Sequence, residues 1–231
     1  MRTTPAGGAV ELFSFEGCPY AQRTRMALLE KGVPFTLTEI DLFNRPAWFA
    51  EVSPYGKVPV LRHAGGTVYE STIINQYLDE AFPDPPLMPP TPLGRAQARI
   101  WLDYCETRFL PAAHAVTTAG PDPEKRRAAV AKFTDVLRFL DREALGRLSA
   151  DGPYFFGAAP TLVDIQYSPF FERFGTYEQS GGAEWPADCT RLHRWFAAMQ
   201  ARESYKATAK PTEYHLEARR QMLARRAATA G

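Results

Sequence analysis

The chain has 231 residues, 45% of them apolar and 23% charged, which suits a buried core and excludes the polar, highly charged composition of disordered chains. Lys and Arg number 27 against 26 Asp and Glu, and a net charge of +1 leaves no electrostatic footprint for nucleic acid or an anionic membrane. The longest stretch free of Asp, Glu, Lys and Arg, Phe109 to Pro121, is 13 residues long, against the roughly 20 apolar residues that span a bilayer.

Residues 9–15 (AVELFSF) are short, apolar and rich in strand formers, and predict a first strand. A helix is expected over 19–31, with Pro19 in its first turn and Gly32 beyond its end. Residues 35–40 (FTLTEI) alternate with period two and read as a second strand. A short helix is expected over 46–52. Residues 58–61 and 67–69 flank Gly65-Gly66 and predict a hairpin turned at that pair. A helix over 71–82 is expected to start on Ser71 as its cap, with Ile73, Ile74, Tyr77 and Leu78 as its apolar stripe. The order β-α-β-α-β-β-α defines a small α/β domain over 1–82.

Residues 83–92 (PDPPLMPPTP) hold six prolines, which deny the chain helix and central strand, so a linker is expected there. Beyond it, 93–231 reads as an all-helical domain with helices over 93–118, 123–149, 161–176, 188–208 and 211–228. Pro111 is expected to kink or divide the first of these. Thr161 and Asp164 predict a reciprocal N-cap with a folding role. The run Tyr167, Phe170, Phe171, Phe174 and Tyr177 has helical spacing and reads chiefly as core. Arg219, Arg220, Arg225 and Arg226 read as a solvated helical tail. The opening MRTTPAGGAVELFSF lacks the basic start and apolar centre of a secretory leader, and with few thiols the expectation is a cytoplasmic protein.

The cysteines are Cys18, Cys105 and Cys189, an odd number without a CxxC pair or a Cys/His cluster, so neither a metal site nor a disulfide framework is expected. Cys18 stands between the first strand and the Pro-led helix. A helix start carries unpaired amides and partial positive charge, and both favour the thiolate form that acts as nucleophile. Arg23 and Arg25 add positive field. Three residues after Cys18 stands Ala21, so an oxidised Cys18 needs an external thiol as its resolving partner. Cys105, one turn beyond Trp101, reads as core, and Cys189 as inert. No motif places a histidine beside Cys18, which disfavours a Cys-His hydrolase.

CPYAQRTRMALLEKGV, DLFNRPAWF, SPYGKVPVL, YESTIINQYLDEAFP and TLVDIQYSPFFER stand in one order over residues 10 to about 175. Together they resemble the cytosolic glutathione transferases, and are most similar to the omega class, with dehydroascorbate-reductase and lambda-type cysteine enzymes as relatives. The resemblance implies a thioredoxin-like first domain and an all-helical second one that contributes the second-substrate site. It implies a cis peptide at Val58-Pro59, with the Val58 backbone pairing the cysteinyl part of glutathione as an added strand would. It places the γ-glutamyl carboxylate at Ser71 and the amides behind it, with Glu70 facing the ammonium. Arg45, and more weakly Lys57, fall near the glycyl carboxylate, while Pro19 and Tyr20 flank Cys18. Tyr104 and Arg108, with Tyr167 and Phe171, are candidates for the second-substrate pocket.

What the resemblance implies in function is glutathione-dependent thiol exchange through a Cys18–glutathione mixed disulfide: thiol transfer, deglutathionylation or dehydroascorbate reduction. Glutathione is the co-substrate, no metal takes part, and the implied assembly is a homodimer acting on a small electrophile or disulfide. Two alternatives stay open. One is a conventional conjugating transferase in which Cys18 is a bystander and Ser14 or Tyr20 supplies a hydroxyl. The other is a non-enzymatic interaction protein on the same fold.

Overall fold

A computed structural model describes residues 8–229, in two compact units. One unit runs to Ala98 and also takes in Arg202–Thr208; the second comprises Arg99–Ala201 and resumes at Ala209.

The first unit is built on a four-stranded mixed sheet, β1 (Val10–Ser14), β2 (Phe35–Glu39), β3 (Val60–His63) and β4 (Gly66–Tyr69), in the order β2-β1-β3-β4. The β1–β2 pair is parallel and joined through helix α1 (Pro19–Glu30), and the other two pairs are antiparallel. β1 lies inside the sheet and is the more buried strand, whereas β2 is an edge and keeps Leu37 exposed. Helix α2 is one turn, Phe49–Val52, and α3 spans Ser71–Ala81. The hairpin turns at Ala64-Gly65, not at the expected Gly65-Gly66. Both turn residues have positive φ (51° and 76°), and Gly66 already pairs with His63. Two-residue hairpin loops need that left-handed conformation to match the strand twist.

The proline-rich stretch expected as a linker belongs to the first unit. Leu87 and Met88 are buried, Asp79 on α3 accepts the Leu87 amide at 2.7 Å, and the Lys31 ammonium meets both Asp79 and the Pro85 carbonyl. The segment Arg202–Thr208 also returns to this unit. Arg202 grips Glu30, near the end of α1, through two hydrogen bonds of 2.6 Å, and Ser204 donates to the same carboxylate. Helix α11 (Glu203–Lys206) lies in this return.

In the second unit, α4 (Pro92–Tyr104), which begins in the first, passes through a π-helical turn, Cys105–Phe109, into α5 (Leu110–Thr118). Pro111 is the second residue of α5, and the expected division of this helix falls just ahead of it, at the π-turn. The π-turn re-registers the backbone just ahead of it, and the Thr107 carbonyl, whose α-helical donor would be the missing Pro111 N–H, accepts from Arg108 Nη1 at 3.2 Å. Helix α6 (Pro123–Phe139) is capped by Asp122, which accepts from the Glu124 and Lys125 amides, and ends in a second π-turn at Leu140–Leu145 before α7 (Gly146–Leu148). Helices α8 (Leu162–Glu172), α9 (Phe174–Gly181), α10 (Thr190–Gln200) and α12 (Thr212–Thr229) complete it. Every residue of α8 is buried.

The reciprocal cap at the head of α8 forms as expected and reaches further. The Asp164 carboxylate accepts from the Thr161 amide (2.7 Å) and hydroxyl (2.8 Å), the Phe155 amide (3.0 Å) and Trp195 Nε1 (2.9 Å). Burial pushes this carboxyl above the ordinary range, and the four donors oppose that rise. The basic tail is not wholly solvated: Arg219 donates to the Thr117 carbonyl at 2.6 Å, while Arg220 pairs with Glu217. The lead before Gly8 and the Arg226 side chain lie outside the described residues.

Candidate functional site

Cys18 is the N-cap of α1, in extended conformation (φ −83°, ψ 118°), with Pro19 at the first helical position. Its amide donates to the Phe15 carbonyl at 2.9 Å and its carbonyl accepts from Gln22 at 3.0 Å, which fixes the turn from β1 into the helix. The half-buried side chain packs against a cluster of Phe13, Ala21, Ile40, Phe49, Val52, Val58 and Val60. Sγ lies 3.8 Å from the Val58 carbonyl oxygen, to which the thiol donates.

Val58 is buried and joined to Pro59 by a cis peptide, as expected; Asp84-Pro85 is also cis. The loop ahead of it is clamped by one hydroxyl: Ser53 Oγ accepts from the Lys57 amide at 2.9 Å and donates to the Lys57 carbonyl at 2.8 Å. The Lys57 side chain is exposed. Arg45 is exposed as well, and its guanidinium lies over Gly56, so that a Cβ there would meet Nη1 at 3.2 Å. Both cations thus flank the segment that leads to Val58.

At the head of α3 the cap is Glu70, not Ser71 as the sequence suggested; Ser71 is the first helical residue. Glu70 has φ 69°, a costly conformation for any residue with a Cβ, and its carbonyl accepts from Ile74 at 2.8 Å. The Ser71 hydroxyl is therefore available for other work, and it accepts from Arg23 Nη1 at 3.2 Å. Arg23 is completely buried, and its guanidinium lies 5.0 Å from the Tyr20 ring. Sequence reasoning used Arg23 only as a source of field. The signal for its pairing is a constant offset: Arg23 meets Ser71 and Lys31 meets Asp79, each 48 residues apart, as the seam of two parallel helices requires. Arg25 turns elsewhere, to Ser14 Oγ (3.4 Å), the Glu16 carbonyl (3.0 Å) and Glu39 (3.5 Å). Ser14, a candidate hydroxyl for the conjugating alternative, is thereby buried under Arg25.

In the second unit the four pocket candidates separate. Tyr167 and Phe171 are 0% and 1% exposed. Tyr167 donates to the Trp101 carbonyl at 2.8 Å and stacks on Phe155; Phe171 stacks on Phe109 and meets Trp195 edge-on. Both are core, and the expectation that they line a pocket is corrected. Tyr104 stays half-buried, stacked on Phe139 at 5.3 Å, and Arg108 is exposed. Burial raises the Tyr104 phenol above its ordinary value, and the nearby Arg108 charge opposes this.

The other thiols are interior. Cys105 is fully buried and donates to the Gln166 carbonyl. Cys189 caps α10, yet burial first, then Asp141 and Asp188, push its thiol up to about 11. A helix start alone does not activate a cysteine. Among the described residues no group of three or more His, Cys, Asp or Glu is arranged to hold a metal, and no helix is long and apolar enough to cross a membrane.

A thiol at a helix head on a thioredoxin-like sheet, a second helix head carrying Glu70-Ser71, and a second unit that is all-helical define a class. Profiles of the glutathione S-transferase N-terminal and C-terminal domains match residues 12–86 and 123–198. The chain belongs to the glutathione S-transferase family. It is 36% identical over 197 residues to glutathione S-transferase U25 of Arabidopsis thaliana, covering 84% of this chain and 86% of that one. It is 33% identical over 215 residues to glutathione S-transferase omega-1 of Mus musculus (90% and 85%). Among solved structures it resembles the Tau class glutathione S-transferase MiGSTU from mango, Mangifera indica (TM-score 0.86, 27% identity, 92% and 98% covered). Rice GST1 (OsGSTU1) in complex with glutathione is similar as well (TM-score 0.79, 33% identity, 89% and 93% covered). Proteins of both omega and tau description thus stand among its matches.

Proposed function

We propose that this glutathione transferase works as a thiol-exchange enzyme through Cys18. The observation that carries the reading is the placement of that thiol, half-exposed at the head of α1 and against the Val58 backbone. The γ-glutamyl carboxylate sits on the α3 amides and Ser71, with Glu70 toward the ammonium; the cysteinyl backbone pairs with Val58; and Arg45 and Lys57 attract the glycyl carboxylate. Pro19 and Tyr20 border the thiol, and Tyr104 and Arg108 serve the second substrate.

With a glutathionyl mixed disulfide bound, the Cys18 thiolate attacks the glutathione sulfur. The substrate S–S bond breaks, a Cys18–glutathione disulfide forms, and the leaving thiolate takes a proton from water. A second glutathione, as thiolate, attacks that disulfide, releases glutathione disulfide and restores Cys18. The sum is RS–SG plus glutathione giving RSH plus glutathione disulfide. A cytoplasmic homodimer completes the reading, and dehydroascorbate is a further candidate oxidant.

The test pairs hydroxyethyl disulfide reduction with aryl-halide conjugation on wild type and Cys18→Ser. A serine oxygen forms no mixed disulfide, so disulfide reduction is expected to vanish while conjugation persists or rises. Intact mass after treatment with glutathione disulfide should show one glutathione on wild type and none on the variant. Full disulfide-reducing activity in Cys18→Ser would return the chain to conventional conjugation.

A further inference from the structure

We propose that docking of the glutathionyl group itself switches on Cys18, by taking over the Val58 carbonyl to which the thiol donates. The inference rests on the reading of the site just given. Sγ lies 3.8 Å from the Val58 oxygen. A hydrogen bond given by S–H stabilises the neutral thiol, and a thiolate in the same place faces the negative end of a carbonyl dipole. This contact therefore opposes the ionisation that the head of α1 favours.

The Val58 carbonyl has little freedom to turn away. Its side chain belongs to the cluster around Phe13 and Ala21, and the residue before it is held at both amide and carbonyl by Ser53. When the cysteinyl residue of glutathione lies along Val58, its amide N–H competes with Cys18 for that oxygen. An amide is the stronger donor, and a thiol is a weak one. The displaced S–H loses the interaction that favoured it; its proton passes to solvent, which reaches the half-buried sulfur, and the electron pair stays on Sγ. No other bond changes.

The charged groups on the surrounding segments are Glu16 on the preceding turn, Arg23 and Arg25 on α1, Glu39 and Asp41 at and after the end of β2, Glu51 on α2, Arg45 and Lys57 beside Val58, and Glu70 at the head of α3. Arg23 is committed to Ser71 and Arg25 to Glu39. An amide arriving at Val58 displaces neither, and the net negative charge of glutathione pushes the thiol in the opposite direction. The functional consequence is selectivity: the nucleophile is released when the disulfide presented to it carries a glutathionyl half.

The test follows thiolate ultraviolet absorbance against pH, as wild type minus Cys18→Ser, with and without saturating S-methylglutathione, which cannot exchange. Calorimetry confirms saturation of both proteins. The midpoint is expected to fall by about half a pH unit or more on binding, roughly a threefold gain in thiolate below the midpoint. An analogue with an ester oxygen in place of the cysteinyl N–H keeps the charges and is expected to leave the midpoint unchanged or raised. Saturated binding of S-methylglutathione with no fall in midpoint would overturn the switch and leave the glutathione site standing. Failure of S-methylglutathione to bind would overturn both.

Discussion

Arg23, wholly buried in α1, donates to the Ser71 hydroxyl at the head of α3 across 3.2 Å. The bond makes Ser71 an acceptor toward Arg23 and so leaves its O–H to donate elsewhere. It also brings a buried positive charge to the helix head proposed to take a carboxylate.

Ser71→Ala should therefore weaken glutathione binding by about 1.5–3 kcal/mol, roughly 10- to 100-fold, the cost of a hydrogen bond to a charged group. Arg45→Ala should cost less, because its side chain is exposed and screened. Calorimetry on the two variants decides it. An unchanged affinity in Ser71→Ala would remove the helix head from the binding site.

The three thiols should react at very different rates. Cys105 and Cys189 are 0% and 1% exposed, and the Cys189 thiol is pushed up to about 11, so thiolate is scarce there at neutral pH. Iodoacetamide near neutral pH, followed by peptide mass mapping, should label Cys18 first. Equal labelling of all three in the folded protein would deny Cys18 its special environment.

Removal of the Asp164 carboxylate should be severe for folding and silent for chemistry. Asp164→Ala strands four donors, from Phe155, Trp195 and twice from Thr161, in the interior. A loss of about 3–5 kcal/mol is expected in denaturant unfolding, as for other buried charged networks that lose one partner. A loss under about 1 kcal/mol would show that water reaches these donors.

Asn75 offers the opposite effect. It is 2% exposed on α3, on the face that carries Ser71 and Asp79, and among the described residues neither atom of its amide has a hydrogen-bond partner. Asn75→Leu keeps the branching of the side chain, though it is bulkier, and removes an unsatisfied buried amide, so it should raise stability by about 1–3 kcal/mol. Thermal unfolding of the variant is the measurement, and a lower midpoint would mean the amide is satisfied in solution.

The elements of the first unit were legible in the sequence because each is coded locally. Strand alternation and Pro19 at a helix start act within a few residues, and β1, α1, β2, β4 and α3 fall within a residue of their expected bounds. By contrast, β3 is shifted by two residues and α2 starts three late. In the second unit the Thr161–Asp164 cap was legible in the same way, but its helix ends four residues early. Cys18 at a helix head could be read for the same reason. The tertiary structure alone decided the partners. That Arg23 reaches Ser71 and Lys31 reaches Asp79 follows from the register of two helices 48 residues apart, which no local pattern records. Helical spacing put Tyr167 and Phe171 on an apolar face, but whether that face meets core or substrate depends on which helices surround it. Arg202 and Ser204 read as a continuing helix, and only the fold carries them back to Glu30 in the first unit. The Val58 carbonyl is the sharpest case: every residue has one, and only three-dimensional packing sets this one against the sulfur of Cys18.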